Sequence, residues 1–332
     1  QISQFSDILK GRPLVLAHND APKVCFVLME SRPDGECGWH SLNRTYSDVL
    51  EQVLSLVDTS QLFQDPYYEK VLVRLRETFG VNDLVSTVFS DPKFKEKNSS
   101  LIQEYEILKK TIDSIFIKDI NIHTKKSPLP EHLQVEPKES ENKTAWIEQR
   151  EIWVKDNQES LNPWREEKEQ LERNYHGKLW ESCFPVIKKF QFSSEFLKSF
   201  IQEDFEKSYP DRYLEFSSGV QEVIPPYLDI LLDLDHISVN LWMEINHPLF
   251  KTYTPIFTSH DQQIGLIKRL ESRPTAKTLN IILQGDIKGG HYRRLVSLED
   301  LSGLSKGKRH ETLYGLNLPI KQNLEAIIEE KK

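Results

Sequence analysis

The chain has 332 residues, of which 38% are hydrophobic and 28% charged, and its formal net charge at pH 7 is −8. This composition is typical of a globular protein with a large core and excludes collagen-like and low-complexity chains. No apolar run approaches the roughly 18 residues that a membrane-spanning helix needs, so such a helix is not expected. The acidic balance argues against a nucleic-acid groove, which needs a concentrated basic face, and suits a basic protein partner better.

The N-terminal part of the sequence predicts two strands and then a helix. Residues 13–30, PLVLAHNDAPKVCFVLME, are short apolar runs broken by Asn-Asp and Pro, which indicates strand, turn and strand. From residue 37 to 57 apolar side chains recur at helical spacing, which predicts one amphipathic helix. The helix-spaced positions are Trp39, Leu42, Tyr46, Val49, Leu50, Val53, Leu56 and Val57.

A helical block follows, over roughly residues 60–205. It includes a polar, proline-punctuated stretch, KKSPLPEHLQVEPKESENK, that predicts a loop, and it carries four of the six tryptophans. After about residue 235 strand patterns return in HISVNLWMEI, LFKTYTPIF, KTLNIILQGD and KGGHYRRLV, and the final IKQNLEAIIEEKK predicts a helix. Strands at both ends with helices between them predict an α+β fold, in which a helical block interrupts a small sheet domain.

Cys37 stands out among the three cysteines, Cys25, Cys37 and Cys183. An odd number without CxxC spacing argues against a disulfide framework or a zinc ribbon and for a reducing compartment. Cys37 follows the turn Pro33-Asp34-Gly35-Glu36 and begins the predicted helix, where unpaired N–H groups favour a thiolate over a thiol. Cys37 is therefore a candidate nucleophile, although most cysteines are simply small buried side chains.

His291 is the candidate base among the ten histidines. It follows Gly289 and Gly290 and begins a strand, so a sheet would hold its imidazole rigidly while the glycines permit close approach. His40 lies one helical turn after Cys37, but no second ligand pair at a usable spacing follows, so we interpret it as a helix-surface residue rather than a metal ligand.

The two signals together carry a family resemblance. PDGECGWHSL resembles the cysteine box of the ovarian-tumour (OTU) family of deubiquitinating cysteine proteases, and GGHYRRLV resembles its histidine box. The resemblance covers roughly residues 13–57 and 235–298. The long helical block is similar to the enlarged helical lobe of bacterial OTU effectors of the Legionella type. The resemblance implies a papain-like OTU core with a small central sheet flanked by helices. About residues 1–59 and 206–332 would form this core, and a helical insertion lobe at about 60–205 would interrupt it.

The resemblance also implies a mechanism and a site. Cys37 would attack the carbonyl of ubiquitin's C-terminal glycine in an isopeptide bond, and His291 would serve as the general base. Backbone N–H groups around Asp34 to Cys37 would hold the oxyanion, and Gly35, Glu36, Trp39 and Tyr292 would surround the substrate cleft. No metal and no organic cofactor is implied.

The residue that orients the imidazole departs from the family pattern. Many members have Asp or Asn two residues after the histidine, where this chain has Arg293, and the residue two before it is Gly289. Asp34 is the best match within the cysteine box, although it is equally interpreted as a turn residue. Glu30, Asp20 and Asp286 are the other candidates.

The expected partners are ubiquitin and polyubiquitin chains, whose basic tail suits the acidic chain, with no nucleic acid and no membrane-spanning segment. Two alternatives remain open at this point: a catalytically weak ubiquitin-binding or scaffold module, and a cysteine protease for another ubiquitin-like modifier. We expect a cytosolic site of action, in the manner of a secreted bacterial effector inside a host cell. We also expect the helical lobe to grip ubiquitin, with the alternative that its tryptophans pack the lobe's own core. Because the sequence begins with Gln rather than Met, we expect it to be a piece of a longer protein.

Overall fold

The computed structural model describes the backbone of residues 13–18, 24–29, 35–138, 140–214, 226–244, 257–259, 264–270, 277–284 and 291–312, with 322, 325, 326, 328 and 329. Over these residues the chain is mostly helical and also forms a mixed β-sheet, which is compatible with the α+β class that the sequence predicts. The chain divides into two compact units, a sheet unit (Gln1–Tyr67 with Ser193–Lys332) and a helical unit (Tyr68–Phe192). The sequence placed the corresponding boundaries at about residues 60 and 205.

The helices alternate with short connections along most of the described chain. In chain order they are α1 (Cys37–Ser41), α2 (Tyr46–Asp58), α3 (Tyr67–Phe79), α4 (Val81–Ser90), α5 (Pro92–Lys97), α6 (Ser99–Lys125), α7 (Glu131–Gln134), α8 (Ser140–Asp156), α9 (Gln158–Ile187), α10 (Ser194–Ser208), α11 (Leu228–Leu234), α12 (Leu298–Ser302) and α13 (Lys306–Thr312). From Tyr68 onwards, α3 to α9 make up the helical unit. Within the described part of the chain no helix is both long enough and apolar enough to cross a membrane.

The strands of the sheet unit form a single sheet. They are β1 (Pro13–His18), β2 (Val24–Met29), β3 (Ile237–Glu244), β4 (Phe257–Ser259), β5 (Ile264–Leu270), β6 (Lys277–Gln284) and β7 (His291–Ser297). Their order among the described residues is β4-β1-β2-β7-β6-β3-β5, in which β3 and β6 are parallel and every other neighbouring pair is antiparallel. The sequence correctly predicts β1, β2, β3, β6 and β7 as strands, whereas the turn predicted between β1 and β2 lies outside the described residues.

Strand β6 lies inside the sheet, between β7 and β3, and is covered on both faces. Its consecutive residues Ile281, Ile282 and Leu283 are all buried, although side chains of neighbouring residues in a strand point to opposite faces. The buried Asn280 beside them is satisfied, because its Oδ1 accepts hydrogen bonds from Asn240 Nδ2 at 3.0 Å and Trp242 Nε1 at 3.1 Å. A strand of this kind is a rigid neighbour for β7, which begins with His291.

The helical unit is built on its two longest helices, α6 and α9. Phe116 stacks on Tyr175 with ring centroids 4.2 Å apart, and Tyr175 donates to Asp113 at 2.8 Å. Further along α6, His123 stacks on Trp164. Later residues of α6 therefore meet earlier residues of α9, which makes the two helices antiparallel.

Tryptophans of the helical unit pack against that unit's own interior. Trp146, Trp153 and Trp164 are partly buried against a cluster of Leu129, Leu133 and Leu161, and Trp180 is buried at 9% exposure. The indole N–H groups of Trp146 and Trp164 donate to the backbone carbonyls of His132 and His123. This packing favours the alternative in which the tryptophans stabilise the lobe.

Two predicted segments differ from the structure or lie partly outside it. The proline-punctuated stretch predicted as a loop contains α7 and the first residues of α8, so that prediction is wrong in part. Of the predicted final helix, the described residues Gln322, Glu325, Ala326, Ile328 and Glu329 are helical. Most of the strand predicted at LFKTYTPIF lies outside the described residues, except for its final Phe257 in β4.

Candidate active site

Cys37 is the first residue of α1, a helix of five residues, and it is buried at 6% exposure. The single helix predicted over residues 37–57 is wrong, because the chain leaves α1 at Leu42 and starts α2 at Tyr46. Thr45 ends the break as the N-cap of α2, and its side chain accepts from the Asp48 N–H at 3.1 Å. The apolar spacing continues across the break, so periodicity alone does not detect it.

Cys37 meets strand β7 beside the predicted base. The backbone N–H of Tyr292 donates to Cys37 Sγ at 3.5 Å, across 255 residues of sequence. Strand β2 pairs with β7 from Arg294 to Ser297, so the described pairing with β2 ends before Tyr292. An N–H dipole directed at a sulfur atom favours negative charge on it.

His291 is the first residue of β7 and is half-buried. Its strand neighbour in β6 is Gln284, and the antiparallel pairing that starts there fixes the backbone of residues 291–295. The structure therefore brings together two residues that the sequence singled out separately, because Tyr292, whose N–H contacts Cys37 Sγ, is the next residue after His291.

Trp39 supports the cysteine helix from its buried side. It has no exposed surface, its Nε1–H donates to the Arg212 carbonyl at 2.9 Å, and its ring contacts those of Phe205 and Tyr209 at centroid distances of 6.1 and 5.0 Å. A fully buried indole of this kind packs beneath α1, and its predicted place beside the substrate cleft stays a prediction. We expect it to fix the tilt of α1.

Glu36 precedes Cys37, and its carboxylate binds groups of the surrounding protein. One carboxylate oxygen lies 3.2 Å from Arg212 Nη1, and the other accepts from the Tyr46 N–H at 3.3 Å. The Arg212 guanidinium also lies over the Tyr46 ring, 5.4 Å from its centroid. Glu36 therefore joins the start of α1 to the start of α2.

A second segment beside Cys37, residues 209–214, was missed by the sequence analysis. Asp211 and Arg212 both adopt left-handed backbone conformations, with φ of 54° and 61°. Tyr213 is 52% exposed, and its ring lies 3.8 Å from the position of a Cβ on Gly35, which itself has φ of +85°. The dipeptide Pro210-Asp211 indicates a turn in this segment, but nothing in the sequence pattern places the segment beside Cys37.

Several predicted residues lie outside the described residues. These are Asp34, the first candidate for the orienting residue, with Asp20, Glu30 and Asp286, and Gly289 and Gly290 before His291. Arg293, which stands where many OTU members have an acid, is buried at 9% exposure in β7. The identity of the third residue stays a prediction.

The other cysteines lie in different settings. Cys183 in α9 is fully buried, its Sγ–H donates to the Trp180 carbonyl at 3.5 Å, and burial raises the pKa of the thiol to about 12. Cys25 lies in β2, opposite Val15 of β1. His40 is half-buried on α1, and no group of three or more His, Cys, Asp or Glu in the described part of the chain could hold a metal ion.

Comparison with known proteins gives no match to this chain, whether among protein-family models, curated proteins or solved structures. A function for this chain is therefore inferred from its residues and from the geometry around Cys37.

Proposed function

We propose that the chain is a cysteine-type deubiquitinase with a papain-like OTU core, which hydrolyses isopeptide bonds at the C-terminal glycine of ubiquitin. The observation that carries the proposal is the contact of the Tyr292 N–H with Cys37 Sγ. It joins the start of the cysteine helix to the strand residue next to His291, and the sequence motifs at both places resemble those of one family.

The reaction follows from the chemistry of these two residues. His291 takes the Cys37 thiol proton, the thiolate attacks the carbonyl carbon of the terminal glycine, and the C–N bond to the lysine breaks as His291 gives that proton to the amine. Water, deprotonated by His291, then cleaves the thioester and regenerates the thiol. Backbone N–H groups at the start of α1 are suited to stabilising the oxyanion, an effect of about 3 kcal/mol per donor in comparable sites.

The surroundings of the two thiols support Cys37 over Cys183 as the nucleophile. Burial raises the pKa of the Cys183 thiol to about 12, so at neutral pH it stays protonated and unreactive. Cys37 instead lies at a helix start with an N–H directed at its sulfur. Cys183 is therefore a matched internal control for every experiment on Cys37.

Hydrolysis of ubiquitin chains by defined variants tests the proposal. Cys37→Ala should abolish cleavage, and His291→Ala should lower turnover by at least about a thousandfold, because loss of a catalytic partner leaves only binding and oxyanion stabilisation. Cys183→Ala should cleave at nearly the wild-type rate. Cleavage retained in a folded Cys37→Ala variant would contradict the proposal.

A binding module without turnover is the second candidate, and Arg293 is the observation that favours it. The residue two positions after His291 cannot orient an imidazolium as a carboxylate would, and it is buried in β7. This candidate predicts that wild-type chain binds ubiquitin but releases no product. A protease for another ubiquitin-like modifier would instead cleave that modifier's conjugates and leave ubiquitin chains intact.

A further inference from the structure

The loop that ends α1 adopts an unusual backbone conformation. Asn43 has φ of +57°, a left-handed conformation that asparagine tolerates better than other side-chain-bearing residues. The helix ends there, since the Asn43 N–H donates to the His40 carbonyl and the Arg44 N–H donates to the Trp39 carbonyl, both at 2.9 Å. The turn therefore fixes where the Asn43 side chain points.

That side chain reaches the strand that carries the candidate base. Asn43 Oδ1 accepts from Arg294 Nη1 at 2.9 Å, although the two residues are 251 positions apart. Arg294 lies two residues after Tyr292, and with a side-chain period of two both project from the same face of β7.

The cysteine helix is consequently held on β7 at both of its ends. At its start Cys37 Sγ accepts from the Tyr292 N–H, and just beyond its end Asn43 accepts from Arg294. A helix of five residues has little stability of its own, so such contacts determine where it sits.

Arg294 is half-buried and Asn43 is exposed, so their hydrogen bond lies near the protein surface. Burial lowers the pKa of its guanidinium, and the Asp300 carboxylate acts in the opposite direction. A guanidinium that is partly removed from water needs hydrogen-bond acceptors in place of that water, and the Asn43 amide oxygen is one of them.

We propose that Asn43 and Arg294 are positioning residues, which together fix α1 on β7 and so hold Cys37 beside the strand that carries His291. Their effect on turnover depends on the proposed function, whereas their effect on the reactivity of Cys37 does not. Both residues act through other groups and touch no reacting atom.

Substitutions at Asn43 separate the side chain from the turn. Asn43→Gly keeps a residue that readily adopts a positive φ and removes the amide, whereas Asn43→Ala removes the amide and also strains the turn. Arg294→Gln replaces the guanidinium donor on the strand side with a shorter, neutral amide, and Arg294→Lys keeps a cation. Arg44→Gln is the control, because Arg44 lies in the same loop but contacts Gln52 and Asp235 instead of β7.

The first readout is alkylation of Cys37 by iodoacetamide at fixed neutral pH, followed by peptide mass mapping. Asn43→Gly and Arg294→Gln should each slow alkylation by about tenfold, and the double variant should be no slower than either single one, as expected for one coupled pair. Asn43→Ala should react as slowly as Asn43→Gly and also melt earlier. Arg294→Lys should recover part of the rate, and Arg44→Gln should alkylate at the wild-type rate.

The second readout is turnover of a fluorogenic ubiquitin substrate. In the variants kcat should fall, while KM should stay within about twofold of the wild-type value because ubiquitin binding is not altered. Wild-type alkylation rates in Asn43→Gly and Arg294→Gln, or additive losses in the double variant, would overturn the proposal. If the wild-type chain fails to process ubiquitin, the proposed function falls, while the alkylation series still decides whether Asn43 and Arg294 position Cys37.

Discussion

Gly38, directly after Cys37, is the position where one added methyl group should disturb the candidate site. A Cβ built on Gly38 lies 2.8 Å from Leu214 Cβ and 3.2 Å from the Leu214 carbonyl oxygen. Carbon atoms in contact prefer a separation of about 3.5–4.0 Å, so α1 or the 209–214 segment must shift. Neither contact is the far end of a flexible side chain, and the shift therefore involves backbone.

The expected magnitude follows from two opposing effects. Overpacking costs about 1–3 kcal/mol, and the better helix propensity of alanine returns at most about 1 kcal/mol, so Gly38→Ala should be destabilised by about 1–2 kcal/mol. Ubiquitin hydrolysis should fall by about tenfold or more, because small displacements of a nucleophile lower the rate steeply.

Gly177 in α9 is the matched control. Nothing lies within 4 Å of a Cβ built there, so Gly177→Ala should be stabilised by about 0.5–1 kcal/mol through helix propensity alone. Urea unfolding followed by circular dichroism, together with ubiquitin-chain hydrolysis, measures both variants. If Gly38→Ala is as stable and active as wild type, the close contact with Leu214 does not hold the cysteine helix, and the reasoning fails.

Three further predictions concern single side chains away from the reacting atoms. Thr45→Ala should lower the free energy of unfolding by about 1 kcal/mol through loss of the α2 N-cap, whereas Thr45→Ser should retain most of it, as measured by urea unfolding. His123→Ala should destabilise the helical unit by about 2–4 kcal/mol, because His123 is 2% exposed, stacks on Trp164 and donates from Nε2 to the Trp164 carbonyl at 2.8 Å. An unchanged urea midpoint would contradict this packing. Burial raises the pKa of the Cys183 thiol from 9.0 to about 12, so the folded state keeps a proton that the unfolded state releases above pH 9. The free energy of unfolding should therefore fall as pH rises past 9, by at most about 1.4 kcal/mol per pH unit. Cys183→Ala should remove that slope between pH 8 and 9.5, and an equal slope in both proteins would refute the burial of the thiol.

The break between α1 and α2 shows what periodicity misses. Trp39 and Tyr46 both face the same aromatic cluster, with ring centroids 6.2 Å apart, so the apolar spacing continues across two separate helices. The signals for the break were local ones: Asn43, which tolerates a positive φ, and Thr45 followed three residues later by Asp48. These capping signals would have placed the start of α2 correctly.

The candidate site was predictable only in its local parts. Turn chemistry and strand patterns singled out Cys37 and His291, since each is marked by its immediate neighbours. The fold places the 209–214 segment beside Cys37 and forms the Asn43–Arg294 contact. Trp39 and Arg212, like Asn43 and Arg294, are more than 170 positions apart in the sequence. A single sequence without such geometry carries no signal for them.

Labelling with a ubiquitin probe that carries a C-terminal electrophile tests the central claim most directly, because it needs both recognition of ubiquitin and a reactive thiolate. Intact mass and peptide mapping should show one ubiquitin attached per chain, at Cys37, with the adduct formed in Cys183→Ala and lost in Cys37→Ala. A folded wild-type chain that forms no adduct, or an adduct at Cys25 or Cys183, would contradict the proposed function.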